Sequence, residues 1–167
     1  APFQFVNYVL GRKNSRKLLG NVFVKNKYGL FFCGKNFSSV FGASAMCEPE
    51  VRKEFNLRSG VAMDIGSNCG MFTVQLAKVL GDGGRVISIE PEKENIRLLK
   101  RNIELNKLNN VSVIEGGVYS KKGEMTFYLD DFGTGGHSLI EGEVRKKEII
   151  QTNTIDNILK DLKVKKV

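Results

Sequence analysis

The sequence predicts an α/β fold: a parallel sheet with helices on both faces, preceded by an extension of different character. Three observations predict it. Short apolar runs at 61–65, 85–89 and 111–114 alternate with stretches of helical periodicity. Glycine-rich turns separate them, as in Gly66 to Gly70 and Gly81-Asp82-Gly83-Gly84. The spacing of the runs is that of β-α-β units, whose strands pair in parallel through right-handed crossovers. A chain of 167 residues buries one ordinary core. It divides into an extension, 1–59 (helix, hairpin, loop, helix), and a core, 60–167.

Composition narrows the class. Hydrophobic residues make up 41% and charged residues 26%, which fits a globular chain. No apolar run approaches the roughly 18 residues of a membrane span. The first residues place apolar side chains before basic ones, the reverse of a secretory signal, so the chain is read as cytoplasmic. Cys33, Cys47 and Cys69 form no CxxC pair, and His137 is the single histidine. That argues against a disulfide framework or a zinc site, and no metal is implied. The net charge of +8 is uneven: residues 1–47 hold seven Lys or Arg and no acid. A basic arm of this kind holds phosphate by charge alone, which keeps nucleic acid open as a partner; it is equally what a solvated basic face looks like.

In order, residues 1–19 read as an amphipathic helix or arm. Asn21 to Val24 and Tyr28 to Phe32 read as a hairpin around Asn26-Lys27. Gly34 to Ala45 reads as a Ser/Gly/Phe-rich loop, with Phe37 and Phe41 filling core beneath it or lining a pocket. Glu48-Pro49-Glu50 opens a helix to about Leu57, since Pro is tolerated in a first turn and acids suit the positive helix end. Strand 61–65 follows, then a helix over 69–80 with Phe72, Leu76, Val79 and Leu80 on its buried face. Strand 85–89 leads to Pro91 and a helix ending near Leu105, buried through Ile96, Leu99 and Ile103. Strand 111–114 completes the regular part. Residues 123–129 alternate like a strand, 132–138 form a glycine-rich loop, 147–152 read as another strand, and Thr154-Ile155-Asp156 begins a last helix.

Ligands of parallel sheets sit at the carboxyl ends of the strands. Asp64, Glu90 and Glu115 fall at that edge. The turn Gly66-Ser67-Asn68-Cys69-Gly70 lets a ligand approach the backbone closely. It is not the GxGxxG of a dinucleotide site, because Asn68 stands at the middle glycine, and no Lys-Ser/Thr follows to make a P-loop. A carboxylate just before the turn repels a pyrophosphate but suits a ligand carrying an ammonium, as S-adenosylmethionine does. Glu90 accepts ribose hydroxyls. The plain alternative is a tight turn between solvated strand ends.

Asp64-Ile65-Gly66-Ser67-Asn68-Cys69-Gly70 with Ile89-Glu90-Pro91 resembles the cofactor site of class I methyltransferases, and is particularly similar to the FkbM family. Glu48-Pro49-Glu50, Gly117-Val118-Tyr119-Ser120 with Gly123-Glu124, and Thr154-Ile155-Asp156 agree with that family. The resemblance covers roughly residues 46–160 and implies a Rossmann-like sheet with S-adenosylmethionine as cofactor. It assigns Asp64, Gly66, Asn68 and Gly70 to the methionine part, with Ser67 inside the same turn. Glu90, beside Pro91, goes to the ribose, and Glu115 and Gly116 to the adenine. Glu48 is a further candidate contact. The family continues with an acidic strand and the rest of the sheet, so the sequence is expected to be a truncated form whose uncovered sheet edge offers a route to oligomers.

The resemblance implies O-methylation of a hydroxyl on a sugar or other small molecule. RNA methylation, through the basic extension, and a non-catalytic cofactor-binding domain are the alternatives. No catalytic base is assigned; His137, Asp130 and Asp131 are the candidates.

Overall fold

In the computed structural model the described residues are 21–34, 37–44, 48–129, 139 and 146–167. The predicted N-terminal helix, Cys47, Asp130, Asp131 and His137 lie outside them.

The extension begins with the predicted hairpin. β1 (Val22–Asn26) pairs antiparallel with β2 (Gly29–Gly34). Asn26 Oδ1 accepts from the backbone N–H of Tyr28 at 2.7 Å and of Gly29 at 3.1 Å, the short-range bonding that makes Asn a turn residue. The segment expected as a loop contains a short helix, α1 (Phe37–Gly42). Its Ser/Gly composition carries no helical signal; tertiary packing forms it, with Val40 and fully buried Ala43 set against the hairpin. Phe41, expected in the core, is exposed. α2 (Pro49–Lys53) stops four residues earlier than predicted, because the chain turns back there: Glu54 N–H bonds Val51 O and Asn56 N–H bonds Glu54 O.

The core follows the predicted alternation. β3 (Gly60–Ile65), α3 (Met71–Leu80), a single 3₁₀ turn over 81–83, β4 (Gly84–Glu90), α4 (Lys93–Leu105) and β5 (Val111–Glu115) build a parallel sheet of order β3-β4-β5. The register sets Asp64 beside Ser88 and Glu90 beside Glu115. Successive side chains of a strand face opposite sides. Ala62 and Val86 pack on Leu76, Ala77 and Leu80 of α3. Val61, Met63, Ile87, Ile89 and Ile114 face the other way, onto Ile158, Leu159 and Leu162 of the last helix, α5 (Ile155–Asp161), and its C-terminal turn. The sheet thus has helices on both faces. On α3, Leu76 and Leu80 are buried as predicted, Val79 is exposed, and Val74 and Ala77 join the buried face.

The later strands form a separate sheet and do not extend the parallel one. β8 (Lys146–Asn153) lies centrally, parallel to the two-residue β6 (Gly117–Val118) and antiparallel to β7 (Gly123–Leu129). Gly116 is the pivot between the sheets. Its N–H bonds Glu90 O at 3.0 Å, and a Cβ on it would lie 2.8 Å from Gln151 O. Among the described residues no helix is long and apolar enough to cross a membrane.

Two amides, one in α4 and one at its C-cap, tie the hairpin to the core. Asn106 bonds the N–H and C=O of Leu30, and Asn102, one turn earlier, bonds those of Phe32. Residues four apart share a helix face, so together they do the work of a partner strand. Asn102 Nδ2 also reaches Cys69 O at 2.8 Å, which joins the hairpin to the glycine turn.

Candidate functional site

The turn after β3 takes three residues into left-handed backbone: Gly66 (φ 76), Asn68 (φ 51) and Gly70 (φ 85). Asn tolerates that region better than most side chains, and glycine adopts it freely. At Gly70 the glycine is also a matter of space, since a Cβ would meet Leu99 Cδ1 at 2.6 Å. At Gly66 a Cβ would meet nothing within 4 Å, so the backbone there borders open space. The turn is pinned from below: the N–H groups of Gly66 and Ser67 both reach Ile89 O, at 2.9 and 3.0 Å.

Both predicted carboxylates are buried beside it, Asp64 at 9% exposure and Glu90 at 4%. Glu90 Oε2 accepts from Asn68 N–H at 2.7 Å. Glu90 Oε1 accepts from Glu92 N–H at 3.1 Å and from the Asn95 amide at 3.2 Å. Burial raises the Glu90 carboxyl above its ordinary range, and these donors oppose the shift. Asp64 Oδ2 accepts the Thr73 hydroxyl at 2.5 Å. Burial raises this carboxyl too, against the pull of the Thr73 hydroxyl and N–H. Ser67 turns its hydroxyl inward, donating to Asp64 O at 2.8 Å, and so belongs to the framework of the turn.

Two cavities meet at the turn. The larger, about 330 Å³, is lined by Ile65, Gly66, Asn68, Ile89, Glu90, Pro91 and Gly116, with Val118, Phe127, Leu139 and Ile150 of the second sheet and its loop opposite. The smaller, about 220 Å³, is lined by Glu48, Arg52, Asp64, Gly66, Ser67 and Asn68, with Gly42, Met71 and Phe72 around them. Gly66 and Asn68 border both. The result is a cleft of two lobes, with a carboxylate in each. Nearly every predicted site residue is thereby gathered at one place. Two of them line neither lobe: Gly70, which ends the turn against Leu99, and Glu115, whose carboxylate is exposed and pairs with Lys100 Nζ at 2.5 Å.

Arg52 was not marked by the sequence, where an Arg beside Pro49-Glu50 reads as a solvated helix residue. It is 4% exposed and lines the smaller lobe. Thr73 and Ser88 also gave no signal as partners of the turn. Among the described residues the two thiols are poor nucleophiles: burial pushes Cys33 up to about 12 and Cys69 up to about 11, so both stay protonated at neutral pH.

A parallel β-α-β sheet whose glycine turn is flanked by two strand-end carboxylates is the arrangement of a class I methyltransferase fold. The model of the protein-L-isoaspartate(D-aspartate) O-methyltransferase family matches residues 38–123, about half the chain, and the chain belongs to that family of S-adenosylmethionine-dependent enzymes. Among curated relatives, a probable cobalt-precorrin-6B C(15)-methyltransferase (decarboxylating) of Sulfurisphaera tokodaii is 38% identical over 79 residues, 47% of this chain and 41% of that one. A protein-L-isoaspartate O-methyltransferase of Methanothrix thermoacetophila is 30% identical over 84 residues, 50% of this chain and 38% of that one. The chain therefore spans about two-fifths of the length of the curated relatives it matches. The structure of the methyltransferase FkbM from Methylobacillus flagellatus KT overlaps 93% of this chain and 39% of its own, at 17% identity and a TM-score of 0.39. An overlap of that quality does not distinguish the FkbM family from other class I methyltransferases.

The cofactor of the family is S-adenosylmethionine, and the donor set of the cleft fits it. One lobe offers carboxylates to an ammonium. The other offers a carboxylate and apolar walls to a ribose and an adenine. Gly66, without a Cβ, leaves the passage between them open.

Proposed function

We propose that the chain binds S-adenosylmethionine across the two lobes and serves a methyltransferase that acts on a hydroxyl oxygen of a small molecule or sugar. The observation that carries the reading is the placing of Asp64 and Glu90 on either side of one glycine turn, each buried, each in its own lobe. Asp64, with Glu48, holds the ammonium. Glu90 accepts from the ribose through the lone pairs that Asn68, Glu92 and Asn95 leave. Gly116, Val118 and Ile150 flank the base, and Pro91 closes that end. The cofactor supplies an electrophilic methyl group; the chain holds its two ends fixed so that an acceptor meets the methyl in line.

The matched family is named for O-methylation, which supports oxygen as the acceptor atom. The FkbM-like motifs support a hydroxyl on a small molecule. A second reading, methylation at carbon, is favoured by the 38% identical relative whose name specifies a C(15) position. Calorimetric titration of S-adenosylmethionine, followed by transfer of labelled methyl to a panel of hydroxyl and carbon acceptors, tests both. Absence of cofactor binding would sink the whole reading. Label appearing only on carbon would replace the first reading by the second, and salt-dependent binding of tRNA with label on the RNA would replace both.

A further inference from the structure

The smaller lobe holds a feature that an ammonium does not require. Arg52 is buried, yet it lines the lobe with Asp64 and Glu48. Its guanidinium is held in a fixed orientation. Nη1 donates to Gln75 Oε1 at 2.8 Å and Nη2 donates to Gly42 O at 3.1 Å. The Tyr28 ring lies 4.9 Å from its carbon and the Phe72 ring 5.1 Å. These contacts come from the hairpin, α1 and α3, so three separate elements orient one cation. A planar guanidinium presents five donors in a rigid fork that matches a carboxylate, and here the orientation is set in advance. Two acids and one such base around a single cavity are the complement of a zwitterion: an amino acid's ammonium and carboxylate together.

Resting on the cofactor reading above, we propose that Arg52 is the subsite for the α-carboxylate of S-adenosylmethionine and makes the chain select ligands that carry that group. Selection then lies in the extension, and the sheet contributes only the ammonium and ribose contacts. The probe is decarboxylated S-adenosylmethionine, which keeps the ammonium, the sulfonium and the adenosine but lacks the carboxylate. By calorimetry the unmodified chain binds S-adenosylmethionine about 10- to 100-fold more tightly than the decarboxylated compound, the size of one charge-assisted contact. Arg52→Gln abolishes that preference, S-adenosylmethionine losing about 10- to 100-fold relative to the decarboxylated compound.

Equal binding of the two compounds by the unmodified chain overturns the Arg52 assignment and leaves the cofactor reading standing. So does an Arg52→Gln chain, folded by circular dichroism, that weakens both compounds by the same factor, since that is the mark of a purely structural role. Binding of neither compound overturns the cofactor reading and this assignment together. The comparison on the unmodified chain decides even if the variant does not fold.

Discussion

Thr73 Oγ1 lies 2.5 Å from Asp64 Oδ2 and begins a line of buried hydroxyls that returns to the same residue. Thr73 Oγ1 is 2.8 Å from Ser88 Oγ, Ser88 Oγ 2.6 Å from Ser67 Oγ, and Ser67 Oγ 2.8 Å from the Asp64 carbonyl oxygen. Four links need four protons, and three hydroxyls bring three. Thr73 donates to Asp64 Oδ2, Ser88 to Ser67 and Ser67 to the Asp64 carbonyl oxygen, so the Thr73–Ser88 approach is the link without a proton. Burial raises the Asp64 carboxyl against the pull of Thr73.

Cofactor affinity therefore depends on pH, with a definite sign. In the free chain the Asp64 carboxyl titrates above its ordinary value. An ammonium beside it favours the carboxylate, so binding releases a proton. Affinity falls as pH drops below the raised value, by up to about tenfold per pH unit, and is flat above it. Glu90 is also raised, and ribose hydroxyls donating to it act in the same direction. Asp64→Asn isolates the first group. Calorimetry across the acid range shows a shallower slope in that variant and weaker binding at neutral pH; an unchanged slope would remove Asp64 from the ammonium site.

Glu90 has two duties, which two variants separate. Glu90→Ala removes the ribose acceptor and leaves the Asn68 and Glu92 N–H groups without theirs. The loss of charged hydrogen bonds, about 1.5–3 kcal/mol, corresponds to roughly 10- to 150-fold in cofactor affinity. Glu90→Gln keeps one acceptor oxygen and retains more of the affinity. Equal affinity in Glu90→Ala and the unmodified chain would dismiss the ribose role.

The backbone of the site was legible because it rests on local patterns. Apolar runs of strand length, helical periodicity and a glycine turn between them mark β3, α3, β4, α4 and β5 in the sequence, and strand ends mark Asp64 and Glu90. What escaped depends on distant packing. Arg52 owes its burial to Tyr28, Gly42, Phe72 and Gln75, none of them its neighbours in sequence. Glu115 ends a strand as Glu90 does, but its carboxylate lies at the surface and pairs with Lys100 of α4. α1 lacked a helical signal because Ser and Gly do not favour helices; its contact with the hairpin stabilises it.

The two glycines of the turn respond differently to alanine. Gly70→Ala combines left-handed strain with a collision against fully buried Leu99, a cost of roughly 2–4 kcal/mol. Gly66→Ala has only the strain, about 1–2 kcal/mol, because nothing lies within 4 Å of the new methyl. Its methyl enters the passage between the lobes, so cofactor affinity falls more than stability does. Urea denaturation and cofactor titration of both variants measure the contrast. A Gly66→Ala chain that binds cofactor like the unmodified one would show that the passage is not used.

Asn102 is the last test, because its one amide joins the hairpin to the cofactor turn. Oδ1 accepts from Phe32 N–H at 2.6 Å, and Nδ2 donates to Phe32 O at 3.2 Å and Cys69 O at 2.8 Å, all in the buried interior. Asn102→Ala strands three buried backbone groups, each worth about 1–3 kcal/mol when unsatisfied, with water entry recovering part. A loss of roughly 3–5 kcal/mol by urea denaturation is the expected result. Asn106→Ala, whose bonds to Leu30 are only part-buried, costs less, about 1–2 kcal/mol. Asn102→Asp separates donor from acceptor: it keeps the oxygen that Phe32 N–H needs but faces two carbonyl oxygens with a carboxylate. It destabilises at neutral pH and recovers as acid protonates the new group. If Asn102→Ala costs no more than Asn106→Ala, the amide link to Cys69 contributes nothing to the turn.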